Sequence, residues 1–146
     1  MSEVVIDALE NQLGCYRRLA KLAELQHEHV RHNQTESLLD VLKCRQSVLD
    51  EIASLEHTIA PAKRNWLDYL GNIEASLRKK AETLLAETRR LLEQITASDQ
   101  DDALVLQQRK LNLGKQINQA SAAKQINRNY AVAAYGPRQS RMDVQR

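Results

Sequence analysis

Apolar residues recur along the first hundred positions at alternating spacings of three and four, the pattern of long helices that pack side by side. One such segment runs from about residue 2 to residue 32, and the next from residue 36 to residue 59. The polar stretch between them, His32 to Thr35, is short, so the two helices are predicted to be antiparallel neighbours, with Asn33 or Thr35 capping the second. The seam positions are Ile6, Leu9, Leu13, Tyr16, Ala20, Ala23, His27 and Val30, then Leu38, Val41, Arg45, Val48, Ile52, Leu55 and Ile59, with Leu39, Leu42 and Leu49 broadening the second face.

A third segment is predicted to start near Ala62, because Pro61 is expected either to end the second helix or to open the third. Its apolar positions continue to Ile95 at the same spacing, with Gly71 as a candidate break. The next five residues, 98–102, are polar and acidic, and acidic side chains suit the N-terminus of a following helix. Residues 1–97 are therefore predicted to form the bundle core, and residues 98–102 a turn and cap.

The fourth segment, residues 103–136, differs in kind, because large apolar residues are sparse and Asn and Gln stand between them. A stripe from Leu113 to Tyr130 contains several alanines, which bury little area, so this helix is predicted to be marginally stable and to order against a partner. The last ten residues, 137–146, are predicted to be a disordered basic tail. The fold class is all-α, an elongated antiparallel bundle of three to four long helices with a marginally stable C-terminal helix.

Composition argues against catalysis. The 146 residues contain 3% aromatic residues, no Phe, four Gly and two Pro. Ligand pockets are usually walled by aromatic side chains, and phosphate-binding loops need glycine. No glycine loop, nucleophile elbow or paired-carboxylate motif is present, so we expect neither an enzyme nor a cofactor.

Charge and hydropathy narrow the class further. The formal net charge is +2, and both signs alternate along most of the chain, which favours solvated helix faces over nucleic-acid binding. No apolar run approaches the roughly 20 residues that span a bilayer, and the N-terminal residues do not resemble a signal peptide. A cytoplasmic protein without membrane insertion is expected.

Two groups of residues could carry other chemistry. His27, His29 and His32 surround Glu28, but a zinc-binding HExxH motif would require histidine at Arg31. A polar helix end is the favoured interpretation, and no metal is expected. Cys15 and Cys44 are too few for a disulfide framework, and ordinary semi-buried thiols are favoured over a redox switch.

Three stretches resemble the FlgN-type flagellar export chaperones. The first is the Leu-rich helix from Leu38 to Glu56, where Leu39, Leu42, Lys43, Gln46, Leu49, Ile52 and Leu55 occupy the family's pattern of leucines around a basic residue and a glutamine. The second is the Asn-containing stretch from Leu111 to Gln119. The third is the Tyr135-Gly136-Pro137 step, which is similar to the family's terminal turn.

This resemblance implies a cytosolic chaperone without ATPase activity that binds hook-associated flagellar proteins, its clients, before type III secretion. It implies that the C-terminal helix pairs with the client's C-terminal helices, and that a tyrosine near its end contacts the export gate. Tyr135 is the candidate for that contact, with Tyr130 as its rival. The implied client-binding residues are Leu113, Ile117, Asn118, Ile126, Asn127 and Tyr130. The alternative is a structural coiled-coil adaptor or self-associating scaffold, and a homodimer is compatible with either function.

Overall fold

The computed structural model describes residues 2–135, with side chains from residue 3 to residue 131. Four helices account for nearly all of this range, and it contains no strand. They are α1, Ser2–Arg31; α2, Thr35–Arg64; α3, Trp66–Gly71; and α4, Ala75–Tyr135. The predicted all-α helical bundle is confirmed. The chain divides after Val105 into two compact units, and each is described separately.

A tight reversal joins α1 to α2. The amide of Asn33 donates to the carbonyl of Val30 (3.3 Å) and the amide of Gln34 to that of His29 (2.9 Å), while Asn33 has a φ of 55°. This is the pattern by which a left-handed residue satisfies the last carbonyls of a helix, and Asn is the residue after Gly that best tolerates it. Asn33 therefore closes α1 rather than capping α2. The N-cap of α2 is Gln34, whose side chain makes no capping hydrogen bond.

Within residues 1–105, side-chain bonds show the directions of the helices. Gln12 of α1 donates to Glu56 of α2 (2.9 Å), whereas Gln26 accepts from Arg45 (2.5 Å), so α1 and α2 are antiparallel. Lys80 pairs with Glu10 near the start of α1. His27, near the other end of α1, contacts Asp102 of α4, more than twenty residues beyond Lys80. This part of α4 therefore runs parallel to α1.

The core consists of two clusters of aliphatic side chains contributed by all the helices of this unit. Leu9 and Ile59 are among its most deeply buried members. The short helix α3 closes one end, where Trp66 and Tyr69 stack with ring centroids 5.5 Å apart. One cluster holds Leu13, Cys15, Leu19, Ala20, Ala23, Val48, Ile52, Leu91 and Ile95, and the other Ile6, Ala8, Leu9, Ile59, Leu70, Ile73 and Ala81.

The helix boundaries differ from the predicted ones at two places. Pro61 lies inside α2, which ends one turn later. The proline nitrogen cannot donate to the carbonyl four residues earlier, so one helical hydrogen bond is lost there. The predicted break near Gly71 is present, since α3 ends there. The predicted turn at residues 98–102 is wrong, because α4 continues through it.

Leu39, Leu42 and Leu49 also differ from prediction, because they are exposed rather than part of the core face. The buried residues of α2 are Val41, Val48, Ile52 and Ile59. Among the described residues, no helix combines the length and apolarity needed to cross a membrane.

Replacing Ile59 by alanine tests the core. The side chain is 0% exposed, and Ile59→Ala is expected to lower the free energy of unfolding by about 2–5 kcal/mol. Leu67→Ala is the control, because Leu67 is 84% exposed and its truncation should change stability by less than about 0.5 kcal/mol. Urea unfolding followed by circular dichroism measures both, and equal midpoints would contradict this packing.

Candidate partner-binding helix

A cluster of polar side chains holds α4 against α1 and α2 at the position where a turn was predicted. We call it the polar junction, and it consists of Gln26, His27, Arg45, Asp99 and Asp102. The two terminal nitrogens of the Arg45 guanidinium each donate to one carboxylate oxygen of Asp99 at 2.7 Å. Asp102 accepts from Gln26 (3.0 Å) and lies 2.7 Å from Nδ1 of His27. Three helices are thus joined by charge-assisted hydrogen bonds, which are stronger than neutral ones.

Gln26 and Asp102 of the polar junction are buried, and its other three residues are half-buried. Asp102 is 1% exposed, and no buried side-chain nitrogen or oxygen in the described residues lacks a hydrogen-bond partner. The bond to Asp99 is the main reason that the pKa of Arg45 lies above its usual value, although partial burial opposes the shift. The sequence contained a signal for this site, because Arg45 occupies a seam position of α2, and a cation there needs an acidic partner.

Beyond the polar junction, the character of α4 changes. None of its described side chains from residue 106 to residue 131 is buried. We call residues 106–135 the C-terminal segment. Every predicted client-binding residue lies in it and is exposed, with Leu113 at 58%, Ile117 at 57% and Tyr130 at 74%; the others are Asn118, Ile126 and Asn127. Large apolar side chains exposed along one helix are typical of a surface that binds a partner.

The predicted client-binding residues do not share one helix face. At about 100° per residue, Leu113 and Ile117 lie about 40° apart, as do Ile126 and Tyr130. Nine residues separate Ile117 from Ile126, which places these two side chains on nearly opposite sides of the helix. Ala120 and Ala123 connect these two residues in steps of three. Each such step shifts the side chain by about 60° around the helix, so the series does not form one stripe. A single docked helix therefore cannot cover both pairs.

All charged residues of the C-terminal segment are basic, which the net charge of the whole chain conceals. These residues are Arg109, Lys110, Lys115, Lys124 and Arg128, and residues 103–135 contain no Asp or Glu. The basic side chains of this stretch consequently have no acidic residue three or four positions away along the helix, the spacing at which helical ion pairs form. Counting charged residues by segment rather than over the whole chain would have revealed from the sequence that this stretch has basic but no acidic residues.

Two predictions fall at or beyond the edge of the described residues. Tyr135, the candidate for the export-gate contact, is the last residue of α4, and its side chain is outside the described residues. The predicted tail, residues 137–146, is also outside them.

The histidines and cysteines are not gathered into one site. His29 bonds Gln34 and His32 bonds a backbone carbonyl, whereas His27 belongs to the polar junction. The described residues contain no group of three metal-ligating side chains. Both cysteines are free, and Cys15 is buried while Cys44 is exposed. Burial is the main reason that the pKa of the Cys15 thiol is raised, which lowers its thiolate fraction and its reactivity.

Two apolar surfaces occur on the first unit. An open groove of about 640 Å³ between α1 and α2 is lined by aliphatic side chains with Thr58, Asn65 and Tyr69, none of them a carboxylate or an imidazole. A second surface is the outer face of α2, where Leu39, Leu42 and Leu49 are exposed at a spacing that continues the three-four pattern. We call these three residues the α2 leucine row.

Comparison with protein-family models, with curated proteins and with solved structures finds no match to this chain.

Asp102→Ala tests the polar junction. The change removes the carboxylate that His27 and Gln26 bond, and the amide nitrogen of Gln26 keeps only its longer 3.4 Å bond to Asp99. It should lower the free energy of unfolding by about 1–3 kcal/mol. The control is Asp101→Ala, which removes an exposed carboxylate one position away and should cost less than about 0.5 kcal/mol. Urea unfolding measures stability, and amide hydrogen exchange should locate the loss at residues 99–105. Equal stability of the two variants would mean that the polar junction does not stabilise α4.

Proposed function

We propose that this chain is a cytoplasmic export chaperone that binds helices of hook-associated flagellar proteins and delivers them to the type III secretion gate. The observation that carries the proposal is the C-terminal segment, where none of the described side chains from residue 106 to residue 131 is buried and Leu113, Ile117 and Ile126 are exposed. Such a helix gains stability when another helix covers it. The resemblance of α2 and of the Leu111 to Gln119 stretch to FlgN-type chaperones supports the choice of client.

The proposed mechanism is binding alone. A client helix covers the exposed side chains, and the chaperone in turn masks client surface that would self-associate before export. Because the predicted client-binding residues lie on two sides of α4, a client that uses all of them must supply two helices or wrap around the segment. Tyr135, at the end of α4, is our candidate for the subsequent gate contact.

Binding of hook-associated proteins tests the proposal. The full chain should bind the C-terminal helices of such a protein, and Leu113→Ser with Ile117→Ser should raise the Kd at least about tenfold, because truncating central apolar contacts typically costs over 1 kcal/mol each. Leu67→Ser is the matched control on the first unit, and Tyr135→Ala should bind the client as the native chain does. Isothermal titration calorimetry measures each Kd.

Two results would count against the proposal in different ways. If the full chain binds no hook-associated protein, the client assignment is wrong. If the double variant binds as tightly as Leu67→Ser, the client does not use this face of the C-terminal segment.

The α2 leucine row favours a second candidate function, a self-associating helical scaffold. Leu39, Leu42 and Leu49 lie on one exposed side of α2, with Gln46 and Ala53 completing the three-four spacing. A seam of this kind on a helix surface is the arrangement through which helices pair. In this case the α2 leucine row would pack against the α2 leucine row of a second copy of the chain.

The oligomeric state tests this second candidate. Leu42→Ser with Leu49→Ser should convert a native dimer into a monomer, whereas Leu67→Ser should leave the dimer intact, and analytical ultracentrifugation distinguishes these states. A native chain that remains monomeric at about 100 µM would exclude a scaffold built on this row.

A further inference from the structure

Residues 1–102 and residues 103–135 carry opposite net charge. Residues 1–102 contain thirteen Lys and Arg against eighteen Asp and Glu, whereas residues 103–135 contain five basic residues and no acidic one. A charge asymmetry of this size points to a partner that complements the segment which bears it.

Three of the five basic residues of the C-terminal segment lie on one side of the helix, together with three large apolar residues. Leu106, Lys110, Leu113, Ile117, Lys124 and Arg128 follow each other at spacings of four, three, four, seven and four. At about 100° per residue, all six fall within about 60° of each other, and all six are exposed. We call this set the basic stripe.

Lysine side chains within an apolar stripe restrict what can cover it. A purely apolar helix placed over Leu113 and Ile117 would remove water from Lys110 and Lys124 without supplying counter-charges, which is unfavourable. A helix with Glu or Asp at the facing positions would bury the same aliphatic side chains and pair the cations. The geometry therefore points to an acidic amphipathic helix of about 23 residues, the length of the basic stripe, as the partner of the C-terminal segment.

Other occupants fit the basic stripe less well. A second copy of this segment would bring five more cations and no anion, so like charges would face each other. A nucleic acid would place phosphates against Leu113 and Ile117, where basic and polar side chains are needed. Helices that lie on membranes carry their cations beside the apolar face and not within it, and usually add Trp or Phe. The described side chains from residue 106 to residue 131 include only Tyr130 as an aromatic, and it lies outside the stripe.

This inference rests on the proposed function for the client's identity, but its charge chemistry can be tested without that client. Lys110→Glu, Lys124→Glu and Arg128→Glu together form the reversed variant of the full chain. Lys21→Glu, Lys79→Glu and Arg89→Glu form the control variant, because these three exposed cations lie on the first unit and their reversal changes net charge equally. Circular dichroism first checks that both variants keep native helicity.

Two kinds of probe are used. The first is the set of C-terminal helical segments of hook-associated proteins. The second is a pair of designed amphipathic peptides with the same leucines and either glutamate or lysine at the flanking positions. The native chain should bind the glutamate peptide and client segments, with a Kd that rises about tenfold between about 50 and about 500 mM NaCl. The reversed variant should bind them at least about 30-fold more weakly and prefer the lysine peptide, while the control variant stays within about threefold of the native chain.

The outcomes separate the two proposals. In one outcome, the native chain binds the glutamate peptide, the reversed variant prefers the lysine peptide, and no client segment binds. This outcome supports the inference and overturns the proposed function. Equal binding of client segments by the native chain and the reversed variant overturns the inference and supports the function. The inference is also overturned if the native chain fails to bind the glutamate peptide, or binds a DNA oligonucleotide or phosphatidylglycerol vesicles more tightly than it binds either acidic probe.

Discussion

A helix can bury its apolar side only where other helices lie beside it, and this constraint governs the whole chain. α4 has 61 residues, whereas α1 and α2 have 30 each, so neighbours of that length cannot cover α4 from end to end. The polar junction lies at the limit of coverage, since Asp102 is the last buried residue of α4 among the described side chains. No described side chain of the C-terminal segment is buried, even where it is large and apolar, as at Leu113 and Ile117.

The three-four spacing predicted the helices well, since it reports directly which side of each helix is apolar. It failed at residues 98–102, where burial depends on pairing between distant residues. Asp99 and Asp102 are polar, and nothing near them in sequence reveals that Arg45 and Gln26 will meet them. The same limitation applies to Leu39, Leu42 and Leu49. Spacing shows that they share a face with one another, but not whether a third helix covers that face.

The weakly packed helix was predicted in position, whereas its charge and the angular arrangement of its residues were not. Sparse leucine among Asn and Gln located a weakly packed helix, and every predicted client-binding residue described by the structure is exposed. The assignment of those residues to one surface overlooked the helical drift between Ile117 and Ile126. The net charge of +2 likewise concealed that residues 1–102 have an excess of acidic residues, whereas all charged residues in 103–135 are basic. Both properties follow from the sequence once helical angle and charge are counted by segment.

Our two proposals together account for the sparseness of large apolar residues in the C-terminal segment. Burial of a few aliphatic side chains contributes modestly at about 25 cal/mol per Å², so a partner held by them alone would be weakly bound and poorly selected. Charge pairing along the basic stripe adds selectivity and faster association. A complex of this kind remains easy to separate, because no large apolar surface must be exposed again on release. That combination suits the proposed function, in which a client is first recognised and later released.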